Sequence, residues 1–309
     1  MSGSKRGIII VKRCWSYYKV YSCLRNVIYR YWNHLNIDKL IESDKVIIKI
    51  NLCNARRPET GAITHPLFLD GFLKVLRELI PPGKCNILVV ESDASVAQPD
   101  LFIKWFGFKR IFEKWDVKYV NLSHCGAVKK FAKNYIIPVP KLLKDRNYFF
   151  VTMPKLKTNV LTYITCCLKN QYGCIPIVNK HKYHFIVDEV ISFINRCIKP
   201  DLCIVDGVIS MLGARGPACG RPERTGVLIV SNDPVATDSY VAKLLGLNPR
   251  RIAHIVKSFK EGIGSMNYLV LGDDVSDQFP KIKLIERAEL HLLSFFERYL
   301  KRRLMRASP

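Results

Sequence analysis

Lys45-Val-Ile-Ile-Lys-Ile-Asn51, Thr64-His65-Pro66 with the periodic stretch it opens, and Cys85-Asn-Ile-Leu-Val-Val-Glu91 decide the fold class. The first and last are short, mostly apolar runs ending in polar residues, as buried parallel strands do at their C-terminal edges. Between them Leu69, Phe72, Leu73, Leu76 and Leu79 recur at helical spacing, and Pro81-Pro82-Gly83 stops the helix. Strand, helix and strand in that order build a crossover unit of a parallel sheet.

The alternation extends outward in both directions. Strands are expected at residues 7–12, 117–122, 148–153, 202–206, 226–231 and 268–271, and helices at about 16–34, 162–171, 183–198 and 250–260. Asn232-Asp233-Pro234 is a strong start for a helix over 234–245, with an acidic cap and proline in the first turn. The expected architecture is α/β, a largely parallel sheet with helices on both faces and two intimate lobes. Its domain spans 1–280, with lobes at 1–145 and 146–280, and residues 281–309 form a C-terminal basic amphipathic helix. In that helix Ile285, Ala288, Leu292, Phe296 and Leu300 fall three to four apart with Leu293 beside them, and Glu289 interrupts the stripe. Such a face needs cover from the protein's own sheet, a second subunit in a homodimer, or an anionic lipid surface.

Composition excludes several classes. The 309 residues are 49% hydrophobic and 24% charged with no low-complexity tract, so disorder is not expected. Apolar runs are too short to cross a bilayer, the start lacks a signal-peptide core, and the expected location is cytoplasmic. The eleven cysteines have no Cys-x-x-Cys pair, so they read as reduced, mostly core thiols. Cys166 and Cys167 on a helix would point about 100° apart and make poor joint ligands. The net charge of +23 implies an electropositive surface for nucleic acid, anionic lipid or acidic metabolites, unless it reflects proteome-wide bias.

Ligands of parallel sheets bind beyond the strand C-termini, so the polar residues there are the candidates. Lys49 and Asn51 end one strand. Lys155 and Lys157, one residue apart, would face one side and suit a phosphate or two carboxylates, with Thr158 or Asn159 capping a following helix. Lys169 and Asn170 sit beside a helix stop, and His184 closes Lys180-His-Lys-Tyr-His184 at a helix start. The stretch from Asp206 to Pro222 reads as a glycine-rich loop in which Gly216 and Gly220 let the backbone approach a ligand and Arg215 grips an anion. That loop matches neither a Walker loop nor a dinucleotide fingerprint. Asp233 completes the set.

The chain resembles the domain-of-unknown-function-362 family through Lys49-x-Asn51, Thr64-His65-Pro66, Pro154-Lys-x-Lys-Thr158, Lys169-Asn170-x-x-Gly173, Lys199-Pro-Asp-Leu and Val205-Asp-Gly207. The match continues through Gly216-Pro217-x-x-Gly220-x-Pro222 and Ser231-x-Asp233-Pro-x-Ala-x-Asp238. Members usually carry His where this chain has Asn159, and many carry a four-cysteine iron–sulfur module that has no counterpart here, so no iron–sulfur cluster is expected. The pattern is also distantly similar to lactate-racemase-type proteins, which share the helix start and a lysine- and histidine-lined cleft.

The reading that follows is an enzyme on a phosphate- or carboxylate-bearing small molecule, held by Lys49, Asn51, Lys155, Lys157, Thr158, Lys169, Asn170, Arg215, Gly216, Gly220 and Asp233. His65 or His184 would move protons, and Asp206, Asp233 or Glu91 would orient a base or bind a divalent metal. Redox chemistry follows from family association only. The alternatives are a non-specific nucleic-acid-associated protein, drawn by charge, and a peripheral membrane-attached protein, held by the last helix.

Overall fold

A computed structural model describes residues 6–132, 134–214, 216 and 219–307. In chain order the elements are β1 (Gly7–Arg13), α1 (Val20–Arg30), α2 (Ile37–Ile41), β2 (Lys45–Lys49), α3 (Pro66–Leu79), β3 (Asn86–Glu91), α4 (Pro99–Trp105), α5 (Phe108–Lys114) and β4 (Lys118–Asn121). The hairpin β5 (Ala127–Ala132) and β6 (Tyr135–Pro140) follows, then β7 (Phe149–Thr152), β8 (Lys155–Asn159), β9 (Tyr163–Thr165), α6 (Cys167–Asn170) and α7 (Val187–Cys197). The chain closes with β10 (Leu202–Leu212), β11 (Arg221–Glu223), β12 (Val227–Ser231), α8 (Pro234–Leu244), α9 (Ala253–Lys260), β13 (Tyr268–Gly272) and α10 (Leu284–Ala307).

One sheet carries the fold, in the order β13-β1-β12-β10-β7-β2-β3-β4. All neighbouring pairs along it are parallel except β12, which runs antiparallel to both β1 and β10. From β2 the chain winds outward through β3 to β4, then returns to place β7 and β10 on the other side of β2. The winding direction reverses between β2 and β7, and such a switch point opens a crevice at the strand C-termini.

Successive strand residues point to opposite faces, and both faces are covered. Val46, Ile48, Phe149 and Val151 pack with Leu24 and Ile28 of α1 and Phe68 and Phe72 of α3. Ile47, Phe150, Val205 and Ile229 pack with Ile191 and Ile194 of α7, Val241 of α8 and Ile255 of α9. α1 and α3 approach so closely that a Cβ on Gly71 would lie 2.9 Å from the backbone nitrogen of Tyr21.

The second face holds a buried polar knot. Asp238 on α8 accepts hydrogen bonds from the backbone nitrogens of Cys167 at 2.8 Å and Leu168 at 3.2 Å, capping α6. His254 on α9, fully buried, sets Nε2 3.9 Å from Asp238 and Nδ1 3.6 Å from Asp188 of α7. Burial opposes charge on His254, but the two carboxylates outweigh it and raise its pKa above the ordinary value.

Several expected boundaries differ. Lys155–Asn159 form strand β8, strand-like as expected, but no helix follows directly: the expected helix 162–171 is β9 followed by the short α6. Thr158 and Asn159 are therefore not helix caps: Asn159 Oδ1 accepts from the backbone nitrogens of Leu161 and Thr162 in a tight turn. Asp206 and Gly207 lie inside β10, which runs on to Leu212 because β8, β11 and β12 supply its hydrogen-bond partners. On α10 the stripe Ile285, Leu292, Phe296 and Leu300 is exposed, while Leu290 is buried.

His254→Leu should lower stability by about 3 kcal/mol near pH 6, because it strips Asp188 and Asp238 of their cation. A raised folded-state pKa means that this contribution is complete below the unfolded value and fades as pH rises through the folded one. Urea denaturation of both proteins across pH 5.5–9 should show the difference shrinking with pH.

Candidate functional site

Two buried lysine centres lie at the strand ends, separated by the segment 51–65. In the first, Lys49 at the end of β2 is fully buried with Nζ 2.7 Å from Glu91 Oε1, at the end of β3. Lys49 also donates to the Ile50 carbonyl at 2.6 Å, and Glu91 accepts from the backbone nitrogen of Leu52 at 2.8 Å. This pairing needs β2 and β3 side by side, as their register places them. Lys157, 1% exposed, enters from β8 and donates to Asn51 Oδ1 at 2.7 Å, the Ala62 carbonyl at 2.6 Å and Cys53 Sγ at 3.0 Å. Among the described residues no carboxylate lies within ion-pair distance of it. Asn170 ties the floor together, its Nδ2 donating to Thr152 Oγ1 at 2.9 Å and the Lys49 carbonyl at 3.1 Å.

Above this floor opens a cavity of about 350 Å³, lined by Lys49, Asn51, Glu91, Lys157, Lys169, Asn170, Lys180, His181 and His184 among its polar groups. Leu52, Val96, Ala97, Val160, Leu161 and Val178 give it an apolar wall. Lys180 donates to the Ile177 carbonyl at 2.8 Å and to the Asp93 carbonyl. Burial pushes its pKa down to about 8, against the pull of Glu91. Lys169 sits over the Tyr172 ring at 5.2 Å, and His181 and His184 meet at 3.3 Å through their Nδ1 atoms. Gly173 passes so near the pair that a Cβ there would lie 2.8 Å from Lys49 Nζ.

The second centre is built around Lys155 and Asp206, both fully buried and 2.8 Å apart. Tyr17 OH accepts from Lys155 Nζ at 2.7 Å and reaches Asp206 Oδ1 at 3.3 Å, while the backbone nitrogen of His65 donates to Asp206 Oδ2 at 3.0 Å. The His65 ring stacks on Tyr17 with centroids 3.7 Å apart, and its Nδ1 accepts from Leu67 to cap α3. Burial drives the His65 pKa down to about 4, so the ring is neutral at pH 7 and its Nε2 carries the proton. Burial also lowers Lys155, despite Asp206, and raises Tyr17.

The expected set therefore divides. Lys49, Asn51, Lys157, Lys169, Asn170 and His184 line the cavity; His65, Asp206 and Lys155 do not. Lys155 and Lys157 part because the pairing of β8 with β10 jumps from Asp206 to Met211 between them, which breaks simple strand alternation. Thr158 donates to the Gly213 carbonyl at 2.5 Å, away from the cavity. Gly216 is required by the protein's own packing: a Cβ there would sit 2.3 Å from the Thr158 carbonyl oxygen, and Gly220 lies likewise against Leu212. Asp233 caps α8 through the nitrogens of Val235 and Ala236 and holds Ser265. Arg215 lies outside the described residues. Tyr17, Cys53 and Glu297 join these sites with no sequence signal of their own, since each is brought in by long-range packing.

For metal, the described residues bring Cys166, Cys167 and Asp238 together with ligand atoms within 4.8 Å of one another, all buried. Cys166 precedes α6 in a non-helical conformation, and its Sγ lies 3.9 Å from that of Cys167, contrary to the helical geometry expected. Both oxygens of Asp238 already accept backbone hydrogen bonds, and burial pushes the Cys166 thiol up to about 12. The trio is accounted for as a capping site in a thiol-lined core.

Residues 46–243, from β2 to α8, match the family described as Domain of unknown function (DUF362). The chain belongs to that family. Within DUF362 it is 25% identical over 228 residues to a thylakoid-associated protein of a Synechocystis strain, covering 71% of this chain and 68% of that one. A crystal structure of a Thermotoga maritima protein aligns with 67% of this chain at 13% identity and a TM-score of 0.36, and the match spans about half of that protein, 53%. The matched segment carries the lysines and carboxylates of both centres but not Tyr17, and no helix among the described residues is long and apolar enough to cross a membrane.

Glu91→Gln should destabilise the protein by about 3–5 kcal/mol, since it leaves the Lys49 ammonium buried without a counter-charge. Adding Lys49→Met should recover most of the loss. Chemical denaturation of the single and double variants measures both; a single-variant cost under about 1 kcal/mol would mean water reaches the pair.

Proposed function

We propose that this DUF362 chain is an enzyme that binds a small anionic molecule, bearing phosphate or carboxylate, in the cavity at the ends of β2, β3 and β8. The observation that carries the reading is Lys157: a buried ammonium with neutral acceptors and no carboxylate partner among the described residues. Burying a charge this way is costly unless an opposite charge joins it. Lys169 and Lys180 line the same space, whereas Glu91 is engaged by Lys49. A volume of about 350 Å³ suits a metabolite-sized ligand. The apolar wall of Leu52, Val96, Val160 and Val178 suits a ligand with a hydrocarbon part beside its anion.

In this reading Lys157, Lys169 and Asn51 hold the anion, and Lys49–Glu91 fixes the floor against which it rests. The His181–His184 pair moves a proton at the rim, and Lys180, poised near pH 8, is available as a second acid or base. Lys155, Asp206, Tyr17 and His65 act as a positioning network behind β8, holding the 62–65 segment whose Ala62 carbonyl orients Lys157. The cytoplasmic location is part of the same proposal.

Calorimetric titration with inorganic phosphate and with a short alkyl phosphate tests it, alongside mass spectrometry of molecules that co-purify. Lys157→Met should weaken binding roughly 10- to 100-fold, the loss of a charged hydrogen bond, and Lys169→Met, at a half-buried position on the cavity wall, should weaken it less. Absence of binding by the unaltered protein, or equal binding by both variants, would overturn the assignment.

The pH dependence has a definite sign. Lys180 is positive below its pKa of about 8 and neutral above, so affinity for the alkyl phosphate, whose second ionisation at about pH 6 is nearly complete by about pH 7, should fall as pH rises through 8. In Lys180→Met that fall should vanish.

A further inference from the structure

α10 is amphipathic in the inverted sense. Leu290 is fully buried and Ser294 is 1% exposed, so this edge docks on the body, near β9 and the turn at Lys180–Ile186. Arg221–Glu286 and the 3.3 Å contact of His291 Nδ1 with Tyr163 OH fasten the same side. Yet Ile285 is 83% exposed, Phe295 64% and Leu292 57%, and Phe296, Tyr299 and Leu300 are each about half exposed. At about 100° per residue these six fall within an arc of roughly 140°, opposite Leu290 and Ser294. Glu289 falls within the same arc and interrupts it, but neither the helix's own fold nor its docking uses these six apolar side chains, and exposed apolar surface of this kind marks an interaction site.

Charge identifies the occupant. Residues 281–306 carry Lys281, Lys283, Arg287, Arg298, Lys301, Arg302, Arg303 and Arg306 against only Glu286, Glu289 and Glu297. A second copy of this chain would bring the same excess of Lys and Arg over Glu to the contact, which opposes self-association. An anionic bilayer meets both demands, taking apolar side chains into the headgroup boundary and attracting a segment this rich in Lys and Arg. We propose that α10 is an interfacial docking helix that seats this protein on an anionic lipid surface, lying in its plane. Val96 and Val178, exposed at the cavity rim, and Glu297, which lines the cavity from α10, place the cavity beside that surface. The docking does not depend on the identity of the cavity ligand.

The test is flotation of the full chain with vesicles of pure phosphatidylcholine and of phosphatidylcholine with 30% phosphatidylglycerol. The unaltered protein should partition at least tenfold more strongly to the anionic vesicles, and less so as salt is raised. Leu292→Ser/Phe295→Ser/Phe296→Ser should reduce that binding at least tenfold with the thermal transition unchanged, since all three side chains are exposed. Lys301→Glu/Arg302→Glu should reduce it while leaving all six apolar side chains in place. Should the serine variant fail to fold, Phe295→Trp with brominated lipid still decides: on anionic vesicles its emission should be quenched beyond that of the unaltered protein, whose four tryptophans set the baseline. The proposal falls if the unaltered protein ignores anionic vesicles, if the serine variant floats as well as it does, or if the emission of the Phe295→Trp variant is quenched no more than that of the unaltered protein. It falls equally if light scattering finds a lipid-free dimer that the serine variant dissolves, which would assign the face to a second copy.

Discussion

Three lysine ammoniums withdrawn from water set the terms for the rest of the molecule. Lys49 and Lys155 are fully buried and Lys157 nearly so, at the edge of a sheet whose interior is otherwise apolar. A desolvated ammonium demands acceptors on every side, and it demands a carboxylate or bears the cost of lacking one. Glu91 can serve Lys49 only because β3 lies beside β2, and Asp206 can serve Lys155 only because β10 pairs with β8. The segment 50–65 is drawn between the two centres by the same demand, offering the carbonyls of Ile50 and Ala62 and the amide of Asn51. Strand order, loop path and charge pairing are thus one solution. What it leaves over is a positive charge at Lys157, which the proposed anionic ligand would complete.

The rest of the architecture makes that edge rigid. Alternate residues of β2, β7, β10 and β12 feed two cores, so the strands that present the lysines are clamped from above and below. On one face α8 caps α6 through Asp238, and His254 links that carboxylate to Asp188, so four helices meet at one charged knot. α6 carries Lys169 and Asn170 into the cavity, so the knot also governs the site. α10 stands apart from this economy of burial: it presents its apolar side outward, and its fit lies with something other than the core.

Much of this was readable from residue order. The run Lys45–Glu91 announced a parallel crossover, and Asn232-Asp233-Pro234 announced the cap that Asp233 makes. Lys49, Asn51, Lys157, Lys169 and Asn170 stood out as polar groups where strands or helices end, and the structure brings them to one cavity. The glycine-rich stretch was legible as special but not for its reason, since Gly216 is shaped to Thr158 rather than to a ligand. Lys155 misled because a period-two argument assumes an unbroken ladder, and the β8–β10 register breaks between the two lysines.

Periodicity and composition by themselves determined the fold class, because hydrophobic spacing reports which face of each element must be buried and that is a local property. They determined also that the chain is strongly basic and that its last helix is amphipathic. Only the tertiary structure decided which ammonium meets which carboxylate, that Tyr17 and Cys53 attend the lysines, and that the apolar side of α10 faces out. Those outcomes depend on contacts between residues tens to hundreds of positions apart. Such contacts are settled by strand order and register, which leave no periodic trace in the chain.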